Sequence, residues 1–162
     1  MRWRLQSSEI NAAAQTAVAA VLALLLARLF QLPESFWAPI SAIVCSLDAL
    51  DGALRVGRRR LLGTALGVTI GALQMSFTTH SLPSYALVIA VLGLVCSALS
   101  LHPSAFRFGA IALTVVVTDT SNPNIWITAA TRFIDVSLGI LVALVVVKAW
   151  PCKPPGTTPT GQ

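Results

Sequence analysis

The sequence predicts an all-α integral membrane protein with six transmembrane helices, arranged as two inverted three-helix repeats. Three observations lead there: the ratio of apolar to charged residues, the punctuation of the apolar runs, and the placement of the basic side chains. Of 162 residues, 56% are hydrophobic and only 10% are charged, and the mean hydropathy is +0.79. A soluble domain carries roughly 25% Asp, Glu, Lys and Arg, so there is too little charge here to coat a water-facing surface. Disorder, a nucleic-acid-binding domain and a secreted disulfide scaffold are all poor fits to this composition. Three cysteines with no CxxC pair support neither a disulfide framework nor a zinc site.

Prolines mark the ends of the helices. Pro33, Pro83, Pro103 and Pro123 and the tail residues Pro151, Pro154, Pro155 and Pro159 fall outside the long apolar runs. Pro39 sits in a first turn, where its missing N–H costs nothing. Between these marks the predicted spans are 12–32, 36–54, 61–77, 85–101, 105–118 and 125–150. Most approach the ~20 residues needed to cross ~30 Å of hydrocarbon. The fifth is shortest and is stopped by Asp119. Residues 1–11 form a cytoplasmic N-terminus, and 151–162 a disordered cytoplasmic tail of Pro, Thr and Gly. The first span is read as retained rather than as a secretory signal. Its apolar core is long, and Arg28, Leu29 and Phe30 stand where small cleavage-site residues belong.

Basic residues orient the bundle. Arg2, Arg4, Arg55, Arg58, Arg59, Arg60, Arg107, Lys148 and Lys153 all fall at one end of the predicted spans. The opposite connections, 31–35, 78–84 and 119–124, contain no Lys or Arg. This asymmetry puts both termini in the cytoplasm of a multi-pass plasma (inner) membrane protein. Trp3, Trp37, Trp126 and Trp150 each land at a predicted membrane–water boundary. The cluster from Arg55 to Arg60, placed between the second and third spans, reads as a topology determinant touching anionic lipid rather than nucleic acid.

A shift of 71 or 72 residues lays Trp37 on Phe108, Asp48 on Asp119, Arg60 on Arg132, and Leu66–Gly67 on Leu138–Gly139. Two units of three helices have an odd crossing number, so the second copy must be inverted, a recurring plan of secondary transporters. Gly63, Gly67 and Gly71 form a double GxxxG strip in the third span, and Ala19, Ala23 and Ala27 a similar strip in the first. Such strips let another backbone approach closely, either inside one subunit or at a dimer seam. A homodimer is expected from the amount of close-packing surface. Cys45 and Cys96 read as small packing residues.

No P-loop, GxSxG, HExxH or dinucleotide turn is present. His80 and His102 fall on opposite sides of the membrane and cannot share a site within one subunit. The chain is therefore read as a non-enzyme with no metal and no cofactor. What remains is charge at membrane depth, which is costly and tends to face a bundle interior or a water path. Arg28 lies near the outer end of the first span, either snorkelling to head groups or functional. Arg132 and Asp135 are three residues apart in the sixth, as a structural ion pair or as part of a pathway. Asp48 and Asp51 near the cytoplasmic end of the second span pair with the neighbouring arginines, and Asp119 ends the fifth.

The stretch FWAPISAIV beginning at Phe36, followed by RRRLLGTALGVTIGAL beginning at Arg58, resembles the fusaric acid resistance (FUSC-like) and aromatic acid exporter family. The matching positions are Trp37, Ala38, Arg60, Gly63, Thr64, Gly67 and Gly71. In the second half Pro103, Arg107 and Phe108, and then Arg132, Asp135 and Gly139 before Trp150–Pro151, are similar to the family pattern. Leu47, Asp48 and Asp51 stand where a Gln–Pro-like pair and a glycine are expected. Larger members carry two six-helix units or a soluble domain, so a single unit implies self-association or a partner. The resemblance implies efflux of aromatic or other organic carboxylates. Arg132, Arg28, Arg60 and Trp37 would then bind the substrate, and Asp135 or Asp119 would carry a coupling proton or an ion pair. Gly63, Gly67, Gly71 and Gly139 would serve packing. A passive organic-anion channel and a non-transporting scaffold stay open as alternatives.

Overall fold

The computed structural model describes residues 7–32, 34–46, 50–77, 81–119 and 124–150. They form six α-helices: α1 (Ser7–Leu29), α2 (Trp37–Ser46), α3 (Leu50–Phe77), α4 (Leu82–Ala98), α5 (Pro103–Thr118) and α6 (Ile125–Ala149). No strand occurs among the described residues. Asp48, His80, Pro33, Pro123, Arg2, Arg4, Trp3 and the tail lie outside them.

Local chemistry explains the helix ends. Ser81 caps α4, its Oγ accepting from the Ser84 N–H at 3.4 Å, with Pro83 in the first turn. His102 caps α5 in the same way, its Nδ1 accepting from the Ser104 N–H at 3.3 Å ahead of Pro103. α1 closes with the Leu32 N–H on the Ala27 carbonyl and the Gln31 N–H on that of Arg28. α4 closes identically, Leu101 to Cys96 and Ser100 to Ser97. Both are Schellman closures, and Gln31 (φ 52°) and Ser100 (φ 51°) hold the left-handed position that glycine usually takes.

The boundary between the second and third helices differs from the sequence expectation. α2 ends at Ser46 instead of 54, and α3 starts at Leu50 instead of 61. Arg55, Arg58, Arg59 and Arg60 therefore lie on the early turns of a helix, not in a connection. No proline falls between Pro39 and Pro83, and Ala, Leu and Arg are all strong helix formers. Asp51 opens α3 rather than closing α2, at the positive end of the helix dipole. Arg55 Nε donates back to the Asp51 carbonyl at 3.2 Å. α1 also ends earlier than expected, so Arg28 sits in its last turn.

The chain divides into two compact units, residues 1–56 with 137–162, and residues 57–136. The first holds α1, α2 and the C-terminal half of α6. In it α1 packs on α2, Ser46 Oγ donates to Thr16 Oγ1 at 3.3 Å, and Gln15 Nε2 donates to the Trp150 carbonyl. Gly139 of α6 lies so close to α2 that an added Cβ would overlap the Ala38 carbonyl and stand 2.7 Å from Ser41 Cβ.

The second unit holds most of α3, all of α4 and α5, and the start of α6. Here α4 packs on α5, and α3 meets α5 through its glycines. A Cβ on Gly63 would overlap the Ala105 carbonyl, and one on Gly67 the Gly109 carbonyl. The glycine strip is thus occupied inside the chain. The alanine strip of α1 is likewise covered, with Ala19, Ala23 and Ala27 all fully buried. Leu92, Cys96 and Leu113 centre one apolar cluster of this unit, and Val68, Ala72, Ala112, Val116 and Ala129 another.

Size and burial run opposite to a water-soluble core. Small residues dominate the buried positions, while Leu82 (85% exposed), Phe77 (83%) and Leu29 (74%) point outward. That distribution suits a chain whose surroundings are hydrocarbon, where close backbone approach drives association. Two helical stretches, Glu9–Leu29 and Ile125–Ala149, are each long and apolar enough to cross a membrane; α2, α4 and α5 are shorter apolar helices.

Candidate functional site

Among the described residues, the buried charges lie on the two long helices α3 and α6. Arg132 (2% exposed) and Asp135 (0%) are one turn apart on α6. Arg60 (6%) lies on α3, and its guanidinium carbon stands 4.7 Å from the centre of the Phe108 ring on α5. A desolvated guanidinium over an aromatic face gains cation–π attraction.

The other sequence-predicted residues fall elsewhere. Arg28 is exposed in the last turn of α1, where its charge complements the helix dipole. Trp37 opens α2 half-buried, its Nε1 donating to Glu34 Oε2 at 3.0 Å and its ring tilted against Phe36 at 5.5 Å. Asp119 follows α5 as its C-cap, its N–H bonded to the Val115 carbonyl. Arg132, Asp135, Asp119 and Arg60 all belong to the second unit, Arg28 and Trp37 to the first. Gly63, Gly67 and Gly139 each lie against a backbone carbonyl of another helix, while a Cβ on Gly71 would find ordinary contact at 3.4 Å.

Each unit also contains a cavity the sequence did not signal. In the second unit Gln74, Ser81, Leu82, Tyr85, Thr114, Val117 and Thr118 enclose about 410 Å³. Within it the Tyr85 hydroxyl and Thr114 Oγ1 are 2.7 Å apart, and Gln74 Nε2 donates to Ser84 Oγ at 3.0 Å. In the first unit a cavity of about 560 Å³ is lined by four alanines of α1, with Glu9, Thr16, Ile43 and Ser46. A glutamine inside an apolar run and the chain's single tyrosine were the available signals for the first cavity. Among the described residues no three His, Cys, Asp or Glu side chains gather as metal ligands do.

Comparison with known proteins fits these features. Residues 20–146 match the family described as fusaric acid resistance protein-like. The inner membrane protein YeeA of Escherichia coli (strain K12) is 28% identical over 139 residues, which is 85% of this chain and 40% of that protein. The chain thus spans well under half the length of this relative. No solved structure matches it significantly. With most of its length matched, from within α1 to within α6, the chain belongs to the fusaric acid resistance protein-like family of membrane proteins, which points to transport or efflux.

Proposed function

We propose that the chain is a membrane exporter of organic carboxylates, built from two inverted three-helix repeats with both termini in the cytoplasm. The observation that carries it is the pair of buried arginines at one repeat-related position. Arg60 on α3 and Arg132 on α6 stand 72 residues apart, each almost wholly buried on a long helix. Burying one guanidinium in such a helix is expensive, and doing so twice at matching positions favours a function for the charge.

Packing within each unit supports the repeat. Offsets of 69, 71 and 72 residues relate α1 to α4, α2 to α5 and α3 to α6. The first offset lays the Schellman closure at Gln31 on that at Ser100, and the buried Ala23 and Ala27 on the buried Leu92 and Cys96. The others lay Ala38 on Gly109 and Gly67 on Gly139. These four residues make the same contact in both units: a glycine of a third helix against a backbone carbonyl of a second helix. The cavities correspond as well, Ala12, Ala13, Thr16, Ile43 and Ser46 answering to Ser81, Leu82, Tyr85, Thr114 and Val117.

The orientation rests on charge. Arg55, Arg58 and Arg59 at the start of α3, Arg107 near the start of α5 and Lys148 at the end of α6 share one side of this topology. A carboxylate drawn to the arginines would leave its apolar body against the helix walls. The test is uptake of a labelled aromatic carboxylate into inverted vesicles, normalised to folded protein. Arg132→Ala and Arg60→Ala should each abolish saturable uptake, and Arg132→Lys should recover only part, because a point charge replaces the fork. Wild-type uptake by the Arg132→Ala variant would overturn the proposal.

A further inference from the structure

We propose that the cavity of the second unit, among α3, α4 and α5, is a binding site for a small uncharged molecule carrying a hydroxyl group. This inference is independent of the transport proposal and uses none of the buried charges. A volume of about 410 Å³ lies within the usual range of small-ligand sites. The wall offers hydroxyl and amide groups from Gln74, Ser81, Tyr85, Thr114 and Thr118, with apolar surface from Leu82 and the Tyr85 ring. No Lys, Arg, His, Asp or Glu lines it among the described residues. A charged ligand would gain no counter-charge from these residues, so the site favours a neutral one.

Two polar atoms show what the ligand must offer. Gln74 is 7% exposed; its Nε2 is bonded to Ser84 Oγ, while its Oε1 is buried with no hydrogen-bond partner. An orphaned buried acceptor is costly, and the final torsion of a glutamine is soft enough to turn that oxygen toward a ligand in the cavity. Exchanging the two ends of the amide only converts the orphan acceptor into an orphan donor, because the Ser84 hydroxyl can serve either. The second atom is the Tyr85 oxygen. Thr114 Oγ1 spends its proton on the Ala110 carbonyl at 2.7 Å, so Tyr85 donates to Thr114 and its own oxygen is left to accept. A hydroxyl both donates and accepts, and so answers both groups. The corresponding cavity of the first unit has Ala12 and Ile43 where this one has Ser81 and Thr114. The helix packing therefore does not itself demand these polar side chains.

The experiment uses the full chain in lipid nanodiscs, with fluorine NMR of 4-fluorophenol, 4-fluorotoluene and 4-fluorobenzoate at pH 7, corrected against empty nanodiscs. At that pH the phenol is neutral and the benzoate ionised. The phenol should bind saturably, about tenfold tighter than the toluene, and the benzoate should not displace it. Gln74→Leu should erase the preference for phenol while leaving the helical signal intact. Should that variant fail to fold, Leu82→Trp serves instead: Leu82 is 85% exposed at the cavity wall, and the larger ring should block phenol binding. Equal affinity for phenol and toluene, displacement by benzoate, or unchanged phenol binding in Gln74→Leu or Leu82→Trp would each overturn the proposal.

Discussion

Gly67→Ala should destabilise the protein while Gly71→Ala, one turn further along the same strip, should not. The added methyl at position 67 would overlap the Gly109 carbonyl oxygen and lie 2.8 Å from the Gly109 carbonyl carbon and Cα. Carbon atoms are comfortable at about 3.5 to 4.0 Å, so α3 and α5 must part by about 0.7 Å or more at this point. A gap of that size forfeits roughly a quarter to a half of each contact of about 0.1–0.2 kcal/mol, and a tightly packed side chain makes some 40 of them. The loss is about 2 kcal/mol, in line with overpacking in other interiors. Alanine's better helix propensity offsets at most about 1 kcal/mol of it. At position 71 the nearest atoms lie 3.4 Å away, so only the propensity gain remains. The two variants should therefore differ by about 2–3 kcal/mol. Reversible unfolding in mixed micelles with increasing dodecyl sulfate, followed by far-ultraviolet circular dichroism, measures this. Equal midpoints for the two variants would refute the close α3–α5 contact.

Other expectations are more local. Gly139→Ala should cost about as much as Gly67→Ala by the same assay, because its Cβ meets the Ala38 carbonyl in the same way. Gln31→Gly and Ser100→Gly should each stabilise by about 0.5–1 kcal/mol, because a left-handed conformation costs an ordinary residue about 1–2 kcal/mol and the greater backbone entropy of glycine offsets part of the gain. For topology, a cysteine placed at Ser81 should react with an impermeant thiol reagent from outside the cell and one at Arg58 should not. Labelling of the Arg58 position from outside would reverse the proposed orientation.

The order and approximate extent of the helices were legible because proline and polar residues punctuate this chain. Pro83 and Pro103 fall in the first turns of α4 and α5. The boundary between α2 and α3 was not legible, because the arginine cluster looks like a connection by polarity yet is helical by propensity. The glycine strip was visible from its four-residue spacing, but its partner was not: nothing in the sequence near Gly67 names Gly109. Cavities were further from reach, since each depends on side chains from separate helices. Spacing in one helix carries no information about the distance to another.

Laying α3 on α6 isolates Asp135. At the offset that lays Arg60 on Arg132 and Gly67 on Gly139, Asp135 falls on Gly63. In the second unit Gly63 serves the close approach of α3 to Ala105. An arginine at this position of the helix is thus accommodated on α3 without an acid one turn later, its guanidinium over Phe108. A carboxylate that is 0% exposed is costly to desolvate, so the helix pattern does not by itself explain it. Under the exporter proposal, Asp135 is the group that exchanges a proton with the pathway. Asp135→Asn keeps the shape and most of the hydrogen-bonding capacity but cannot take up a proton. It should fold with a thermal midpoint within a few degrees of wild type, and its carboxylate flux should no longer respond to an imposed pH gradient. The competing structural role makes a different demand: Asp135→Asn leaves Arg132 buried without its counter-charge, a loss of about 3–5 kcal/mol that Arg132→Ala together with Asp135→Ala would restore. An Asn variant that fails to fold beside a double alanine variant that does would establish the ion pair and remove Asp135 from the pathway.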